Sequence, residues 1–279
     1  MILYYAMGGG LGHLMRATAF ITMNRIRKFR VVTASPFAAR LFEPAALFMI
    51  PREFENHRPL LTKYLQDILD HNLPDTVVID TFSHGILGEL NGLHWKKSRL
   101  YYITRRLKWE QYVKRIGSDM EFQKSFVLEP PESGHLNLIK EVSGEIIDYS
   151  LQYPHHEIDI DNPVSADTGH EKWLVIHSGP VHEVKNLISY AREKAATLGS
   201  QPEMMVISQV NPLADKTRWF DLCPAHGYFR FAARLITACG FNVMEQARGL
   251  EIPHDFIPFG RKYDDQFWRA EWAKKNGFE

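Results

Sequence analysis

The residues best suited to chemistry lie close to the N-terminus, where a short apolar segment runs into a cluster of glycines and a histidine. Glycines at such a turn allow a ligand to approach the backbone closely. The start of the following helix offers unpaired N–H groups and a partial positive charge, which favour a phosphate or a developing anion. An ionisable imidazole stands at that helix start, and a guanidinium follows one turn further along the same face. The segment reads Gly8-Gly9-Gly10-Leu11-Gly12-His13-Leu14-Met15-Arg16.

Two nucleotide-binding motifs with a similar strand–turn–helix context are disfavoured here. The dinucleotide fingerprint needs a third glycine where His13 stands and an acidic residue at the end of the second strand, where Ser35 stands. A P-loop requires Gly-Lys-Ser/Thr, which this segment lacks. A turn that only caps the helix and leaves His13 exposed remains an alternative interpretation.

The glycine turn opens an N-terminal half in which predicted strands and helices alternate. The predicted strands are nearly all apolar, which is typical of a parallel sheet covered by helices on both faces. The predicted helices carry apolar residues at helical spacing. Besides the N-terminal strand, we predict strands at 30–35, 46–50, 76–82, 100–104 and 126–128 and helices at 13–28, 59–71, 84–93 and 108–116, with 136–150 ambiguous.

Asp80 lies at the carboxyl end of the clearest predicted strand. In a doubly wound sheet the chain switches direction after the third strand, so that the fourth strand lies beside the first. This topology predicts that Asp80 and His13 are neighbours. An imidazole oriented by a carboxylate is suited to general-base catalysis near neutral pH. An Asp80 that only caps the helix after it is an equally good interpretation.

A polar, proline-punctuated segment at 151–170 interrupts the alternation and is typical of a linker between domains. The alternation then restarts, with predicted strands at 173–177, 203–208, 219–223, 235–239 and 255–259 and helices at 181–198, 227–234, 240–248 and from 264. We therefore predict an α/β protein made of two doubly wound Rossmann-like domains that face each other across a cleft. Their bounds are 1–155 and 170–279.

Several motifs together resemble those of GT-B glycosyltransferases. The glycine turn with His13 resembles the N-terminal loop of the bacterial N-acetylglucosaminyltransferases that make the lipid-linked peptidoglycan precursor. Gly12-His13-Leu14-Met15-Arg16 is also similar to the Gly-His-x-x-Arg of related nucleotide-sugar enzymes, which include nucleotide-sugar hydrolases. Residues 239–245, Cys-Gly-Phe-Asn-Val-Met-Glu, resemble the donor-site signature of the superfamily, and 257–259 with 264–266 resemble its closing motif. These motifs occur in the same order as in that superfamily, and together they span most of the chain.

This resemblance implies a transferase that takes a sugar from a nucleotide-diphosphate donor, typically a uridine diphosphate sugar, bound by the C-terminal domain. The implied donor-binding residues are Ser178, Gly179, Gly240, Asn242, Glu245, Asp265 and Gln266. The acceptor would lie on the N-terminal domain against Gly9, Gly10, Gly12 and Arg16, with His13 as the base and Asp80 beside it. The reaction would be inverting and would use no cofactor. It would need no metal, because a helix N-terminus at Gly179 or Gly240 can stabilise the leaving diphosphate.

The donor signature departs from the family pattern in two places. The spacing from Gly240 to Glu245 is one residue shorter than usual, and Val243 replaces a serine or threonine. Two alternatives therefore stay open: a nucleotide-sugar hydrolase in which His13 activates water, and a non-catalytic protein that binds a nucleotide or sugar.

The composition of the chain limits which binding partners and which cellular compartment we expect for the protein. The formal net charge of the 279 residues is zero, so bulk charge gives no reason to expect nucleic acid binding. The densest basic stretch, 95–115, is better explained as a buried strand with solvated ends, although Arg105-Arg106 could meet an anionic acceptor. Two cysteines and no apolar run of membrane-spanning length lead us to expect a cytoplasmic protein.

Two further possibilities concern surfaces and metals. The basic residues near the end of the first helix, at 25–30, could rest on an anionic membrane, but such residues more often mark a solvated helix end. The acceptor could be anionic or lipid-linked. His155, His156, Asp159 and Asp161 carry metal-ligating groups, but they fall in the predicted linker and not at a strand end. We therefore expect no metal site there.

Overall fold

A computed structural model describes residues 1–117, 120–154, 164–166 and 169–277. The chain divides into two compact units. The first comprises Met1–Pro154 together with Lys262–Asp265, and the second comprises His155–Arg261 and Gln266–Glu279. Each unit is built on its own parallel β-sheet. Residues 155–163, which include the histidines and aspartates considered above as metal ligands, lie outside the described residues.

The first unit contains a seven-stranded sheet in the order β3-β2-β1-β4-β5-β6-β7. All of its neighbouring strands pair in parallel. The strands are β1 (Ile2–Tyr5), β2 (Phe29–Thr33), β3 (Leu47–Met49), β4 (Thr76–Asp80), β5 (Arg99–Thr104), β6 (Phe122–Val127) and β7 (Ser143–Asp148). The helices are α1 (Leu11–Met23), α2 (Arg58–Asn72), α3 (Trp109–Tyr112) and α4 (Ser133–Val142), and short 3-10 turns lie between several elements. The ambiguous segment 136–150 is thus part helix and part strand.

Burial explains why these segments form a sheet with helices on its faces. Every residue of β4 is buried, as expected for a central strand that is covered on both sides. Helix α2 buries one stripe at helical spacing against this sheet, formed by Leu61, Leu65, Ile68 and Leu69. The basic stretch behaves as a buried strand with polar ends, because Leu100, Tyr102 and Ile103 are buried within β5.

The predicted helix at 84–93 is wrong. Residues 81–98, all of which the structure describes, form turns. Gly85, Gly88 and Gly92 adopt positive φ angles of 83°, 79° and 81°, which a helix does not permit. The buried carboxylate of Glu89 accepts the backbone N–H groups of residues 86 and 87, and it lies where a side chain at Gly85 would have to be. The glycine conformations therefore exclude a helix, and the Glu89 carboxylate holds the turn through two backbone N–H groups.

The second unit contains a five-stranded parallel sheet in the order β10-β9-β8-β11-β12. Its strands are β8 (Lys172–Ile176), β9 (Glu203–Ile207), β10 (Arg218–Phe220), β11 (Arg234–Ala238) and β12 (His254–Ile257). Its helices are α5 (Val181–Leu198), α6 (Phe241–Ala247) and α7 (Gln266–Lys275), and the helix predicted near 227–234 is a 3-10 helix at His226–Phe231. The predicted fold class, two doubly wound Rossmann-like α/β units, is confirmed.

Candidate functional site

In the first unit, β1 and β4 are paired in the sheet. Strands β2 and β3 are added on the β1 side and β5 to β7 on the β4 side, so the order of the strands reverses between β1 and β4. Ligands of open parallel sheets bind beyond the carboxyl ends of the strands at such a switch point. The glycine turn and α1 follow β1 there, and Asp80 ends β4. The structure places the two predicted residues in contact, with His13 Nδ1 2.6 Å from Asp80 Oδ2.

Asp80 is shared between His13 and Arg16. The Nε atom of Arg16 donates to Asp80 Oδ1 at 2.9 Å, and Nη2 donates to Oδ2 at 2.8 Å, so the contact has two donors. The carboxylate is fully buried and Arg16 is almost so. Burial by itself raises the pKa of Asp80, but Arg16 and His13 outweigh burial and hold that pKa well below its usual range. Asp80 is therefore an anion throughout the physiological pH range, and Arg16 is its buried cationic partner.

His13 is neutral near pH 7. Burial lowers its pKa, Asp80 raises it, and Arg16 lowers it again, so that the pKa lies below the ordinary value of a histidine. Because Asp80 is an acceptor only, the neutral imidazole donates from Nδ1–H to it and keeps the lone pair on Nε2. A neutral imidazole held in one tautomer by a carboxylate is the arrangement of a general base.

The glycine turn packs against the His13 ring at one residue and is open at the next two. A Cβ on Gly8 would lie 2.5 Å from His13 Cδ2 and 2.9 Å from Nε2, so any side chain there would collide with the ring. At Gly9 and Gly10 a Cβ would meet no described atom within 4 Å. Gly12 lies in the first turn of α1. The backbone is thus packed against the imidazole at Gly8 and is open to solvent at the next two residues.

The backbone turns sharply directly after Asp80. Thr81 has a φ of 70°, and Phe82 N–H donates to Asp80 C=O at 2.8 Å, which makes Thr81 the centre of a γ-turn. A positive φ is a genuine outlier for a β-branched residue and costs roughly 1–3 kcal/mol. The Phe82 ring then lies beside His13, with ring centroids 5.7 Å apart. Sequence reasoning missed Thr81, because nothing in the residue type predicts a left-handed conformation.

Residues 262–265 pack with the first unit. Tyr263 makes an edge contact with Phe82, and its carbonyl accepts Lys108 N–H at 2.8 Å. Asp264 pairs with Arg105, and Asp265 pairs with Arg106 at 3.4 Å. Asp265, a predicted sugar contact, is therefore an ion-pair partner of the basic stretch. Its predicted companion Gln266 is buried at the start of α7, where its Oε1 accepts the backbone N–H of residue 259 at 3.0 Å.

In the second unit, Ser178 and Gly179 lie between β8 and the long helix α5, beside a cluster that sequence reasoning missed. The Nε2 atom of His177 is 2.6 Å from Glu183 Oε2, and Arg261 binds both oxygens of the same carboxylate. Burial raises the pKa of Glu183, but Arg261 and His177 outweigh burial and lower it. A Cβ on Gly179 would lie 2.2 Å from His177 Nε2, so this glycine is in contact with the cluster.

The other predicted donor residues follow β11, which pairs with β8 at the switch point of the second sheet. Gly240 precedes α6, and Asn242 and Glu245 are half-buried residues of that helix. Glu245 pairs with Arg248 one turn later. The structure thus brings Gly179 and Gly240 to the carboxyl ends of adjacent strands.

In the part of the chain that the structure describes, no group of three or more histidine, cysteine, aspartate or glutamate side chains is arranged to hold a metal ion. Among the helices of these same residues, none has the length and the apolar character needed to cross a membrane.

Comparison with known proteins shows similarity at the level of the fold. No family model matches the chain, and no curated protein matches its sequence. Among solved structures, a glycotransferase of kitacinnamycin is similar with a TM-score of 0.61 and 15% identity over 99% of this chain and 84% of that one. Spinosyn rhamnosyltransferase in complex with thymidine diphosphate has a TM-score of 0.58 and 15% identity, over 99% of this chain and 85% of that one. A putative UDP-N-acetylglucosamine 2-epimerase from Listeria monocytogenes has a TM-score of 0.59 and 12% identity, over 97% and 81%. The chain has the GT-B fold.

Proposed function

We propose that this protein is a glycosyltransferase that moves a sugar from a nucleotide-diphosphate donor to a hydroxyl acceptor, with His13 as the general base. The observation that carries the proposal is the contact of a neutral His13 with an ionised Asp80 at the switch point of a GT-B fold. Uracil is the expected base of the donor nucleotide. The solved neighbour with bound thymidine diphosphate adds thymine as a second candidate base.

The geometry suggests how the transfer would proceed. The acceptor would lie against the open glycines, Gly9 and Gly10, with its hydroxyl directed at Nε2 of His13. As that oxygen attacks the anomeric carbon, its proton passes to Nε2 and the bond from the anomeric carbon to the diphosphate oxygen breaks. Asp80 stabilises the imidazolium that forms. Attack opposite the leaving group inverts the configuration of the anomeric carbon.

The donor would be held by the second unit. The N-terminus of α5, reached through Ser178 and Gly179, can stabilise the negative charge of the leaving diphosphate. Arg261 adds a guanidinium beside it, and this side chain is only partly buried. Gly240 and Asn242 would line the same pocket, and Glu245 would accept the ribose hydroxyls. Asp265 and Gln266 remain the proposed sugar contacts, although Asp265 packs with the first unit. To bind the sugar, Asp265 would exchange its contact with Arg106, and Gln266 would exchange the backbone N–H of residue 259. This assignment needs neither a metal nor a cofactor.

Two arginines of the basic stretch are the candidate contacts for an anionic acceptor. The arginines at 105 and 106 have aspartate partners, so an anionic acceptor would have to compete with Asp264 and Asp265. A lipid-linked acceptor at a membrane surface and a cytoplasmic location are part of the same proposal. Nucleic acid is not proposed as a partner.

The proposal is tested first by ligand binding. Thermal unfolding is measured with uridine, thymidine, guanosine and cytidine diphosphates, and we expect stabilisation by one of the first two. A ligand at 100 times its Kd adds about 2.7 kcal/mol to the free energy of unfolding. If none of the four raises the unfolding temperature, the donor site is absent.

Turnover then separates the alternatives. Donor hydrolysis without any acceptor would indicate the nucleotide-sugar hydrolase, and a bound but unchanged donor would indicate a binding protein. For the transferase, His13→Ala should lower turnover by about 100- to 10,000-fold while the nucleotide affinity is kept. The control is His71→Ala, which removes an exposed histidine from α2. Equal turnover of the two variants would exclude His13 as the base.

A further inference from the structure

The γ-turn at Thr81 is held by hydrogen bonds on every polar group of that residue. Its N–H donates to Ile103 C=O at 2.7 Å, and its C=O accepts the hydroxyl of Tyr102 at 2.8 Å. Its Oγ1 accepts from Arg16 Nη2 at 3.0 Å and donates to Asp80 Oδ1 at 3.3 Å. A left-handed β-branched residue persists only where the surroundings over-determine it, and such residues cluster at functional sites.

The hydrogen bonds that hold Thr81 continue through the Tyr102 hydroxyl to a buried histidine on α4. Because the Tyr102 hydroxyl donates to Thr81, it accepts from His135 Nε2 at 3.0 Å. His135 stacks on Trp109, with ring centroids 4.7 Å apart and planes inclined by 6°. Burial lowers the pKa of His135 to about 4, so the ring is neutral and carries its proton on Nε2. In agreement, its Nδ1 has no hydrogen-bond partner among the described residues.

The turn determines what His13 contacts. On one side of Thr81, Asp80 carries the carboxylate that holds Nδ1, and on the other side Phe82 places its ring beside the imidazole. An extended backbone at Thr81 would carry Phe82 onward along the direction of β4, away from this position. The strained conformation of Thr81 therefore allows the residues before and after it to contact the same ring.

We propose that Thr81 and Tyr102 are positioning residues for the imidazole base at His13. They act through Asp80 and Phe82, and His135 supports them through the Tyr102 hydroxyl. The inference rests on the proposed function for its catalytic consequence, whereas its structural content concerns the first unit alone.

The test compares four variants. Thr81→Val keeps the shape of the side chain and removes Oγ1, and Tyr102→Phe removes the hydroxyl that holds the turn. Thr81→Ser retains the hydroxyl and serves as the rescue. The matched control is Tyr112→Phe, which removes an equally buried hydroxyl that donates to Gly85 C=O and accepts His84 N–H.

Two readouts are needed, so that failure of the positioning role can be told from failure of the proposed function. The first is the pKa of His13, followed by NMR, with the His13→Gln spectrum identifying the resonance. We expect it to fall in Thr81→Val and Tyr102→Phe, because the Asp80 carboxylate is held less closely to Nδ1, and to stay unchanged in Thr81→Ser and Tyr112→Phe. The second is turnover, which should fall about 10- to 100-fold in the first two variants with little change in KM for the donor.

Wild-type His13 pKa and turnover in both Thr81→Val and Tyr102→Phe, measured on folded protein, would overturn the positioning role. Loss of stability without a change in the His13 pKa would also overturn it, because the control is expected to show that pattern. If the wild-type protein transfers no sugar, the proposed function fails, and the pKa measurement still decides the role of Thr81 and Tyr102.

Discussion

At the scale of single residues, the pKa of His13 is set by burial and by two opposite charges, the Asp80 carboxylate and the Arg16 guanidinium. Asp80 raises the pKa of the imidazole, while burial and Arg16 lower it. Arg16 also binds Asp80 through two donors, so it limits how strongly the carboxylate attracts a proton to His13. The net result is a neutral imidazole that keeps its Nδ1–H on Asp80 and leaves Nε2 unprotonated.

Removing the charge of Asp80 and removing the charge of Arg16 should move the pKa of His13 in opposite directions. Asp80→Asn removes the attraction and leaves Arg16 unbalanced, so the pKa falls further. Arg16→Gln leaves the carboxylate uncompensated, so the pKa rises. NMR titration of the His13 ring measures both shifts. Shifts in the same direction would show that Asp80 and Arg16 do not act on the pKa of His13 in opposite directions.

Each of these two variants also breaks a buried ion pair, which costs about 3–5 kcal/mol of stability. The titrations are therefore accompanied by denaturant unfolding, and Lys96→Gln provides a control. Lys96 pairs with Asp70 at an exposed position, where an ion pair contributes little.

At the scale of elements, the turn between β1 and α1 has two different kinds of glycine. Gly8 is in contact with the His13 ring, whereas Gly10 faces open space and has an extended backbone with a φ of −110°. The first glycine is therefore required by packing. Packing does not require the second glycine, Gly10, so its role would be to let a bound ligand approach the backbone.

The alanine variants of these glycines should differ. Gly8→Ala places a methyl group within contact distance of the imidazole, and such overpacking costs about 1–3 kcal/mol. Gly10→Ala should leave the stability unchanged within about 0.5 kcal/mol, as for a surface substitution. Urea unfolding gives both values, and the His13 ring resonances should move in Gly8→Ala alone. Equal stabilities of the two variants would show that the ring is not packed against Gly8 in solution.

At the scale of the whole molecule, both units follow the same plan. Each is a parallel sheet with a switch point, and near it a carboxylate is shared by a histidine and an arginine: Asp80 in the first unit and Glu183 in the second. Each unit also buries a neutral histidine in its core, His135 and His254, and burial lowers the pKa of both to about 4. These buried rings connect the stability of the molecule to pH.

Stability should fall as the pH is lowered from 6.5 toward 4. In the unfolded chain these histidines take up a proton near pH 6.5, whereas in the folded state they resist protonation until about pH 4. Protons therefore favour the unfolded state throughout that range, by about 2 kcal/mol per histidine at pH 5. Urea unfolding at pH 7 and pH 5 measures the loss.

A substitution at His254 should reduce this dependence. His254→Gln removes one titrating group, and the amide can still bond to Thr237, which now contacts His254 Nε2 at 2.7 Å. Its free energy of unfolding should change less between pH 7 and pH 5 than that of the wild type. An unchanged pH dependence would show that His254 titrates normally in the folded protein.

The alternation of strands and helices could be predicted from the sequence, because burial imposes a pattern of apolar residues that is local and regular. Long apolar strands such as β4 and the helix α5, whose bounds match the prediction, are the clearest cases. The neighbourhood of His13 and Asp80 could also be derived, although 67 residues separate them, because doubly wound sheets place the first and fourth strands side by side.

Only the tertiary structure decided the features that depend on side chains meeting across the fold. The turns at 81–98 have three glycines with positive φ angles, and Glu89 holds them by accepting two backbone N–H groups and the Tyr5 hydroxyl. The left-handed Thr81 depends on partners from β5 and α1. The cluster of Glu183 with Arg261 spans 78 residues. Local spacing carries no information about such contacts, because each becomes favourable only after the sheets have placed their ends together.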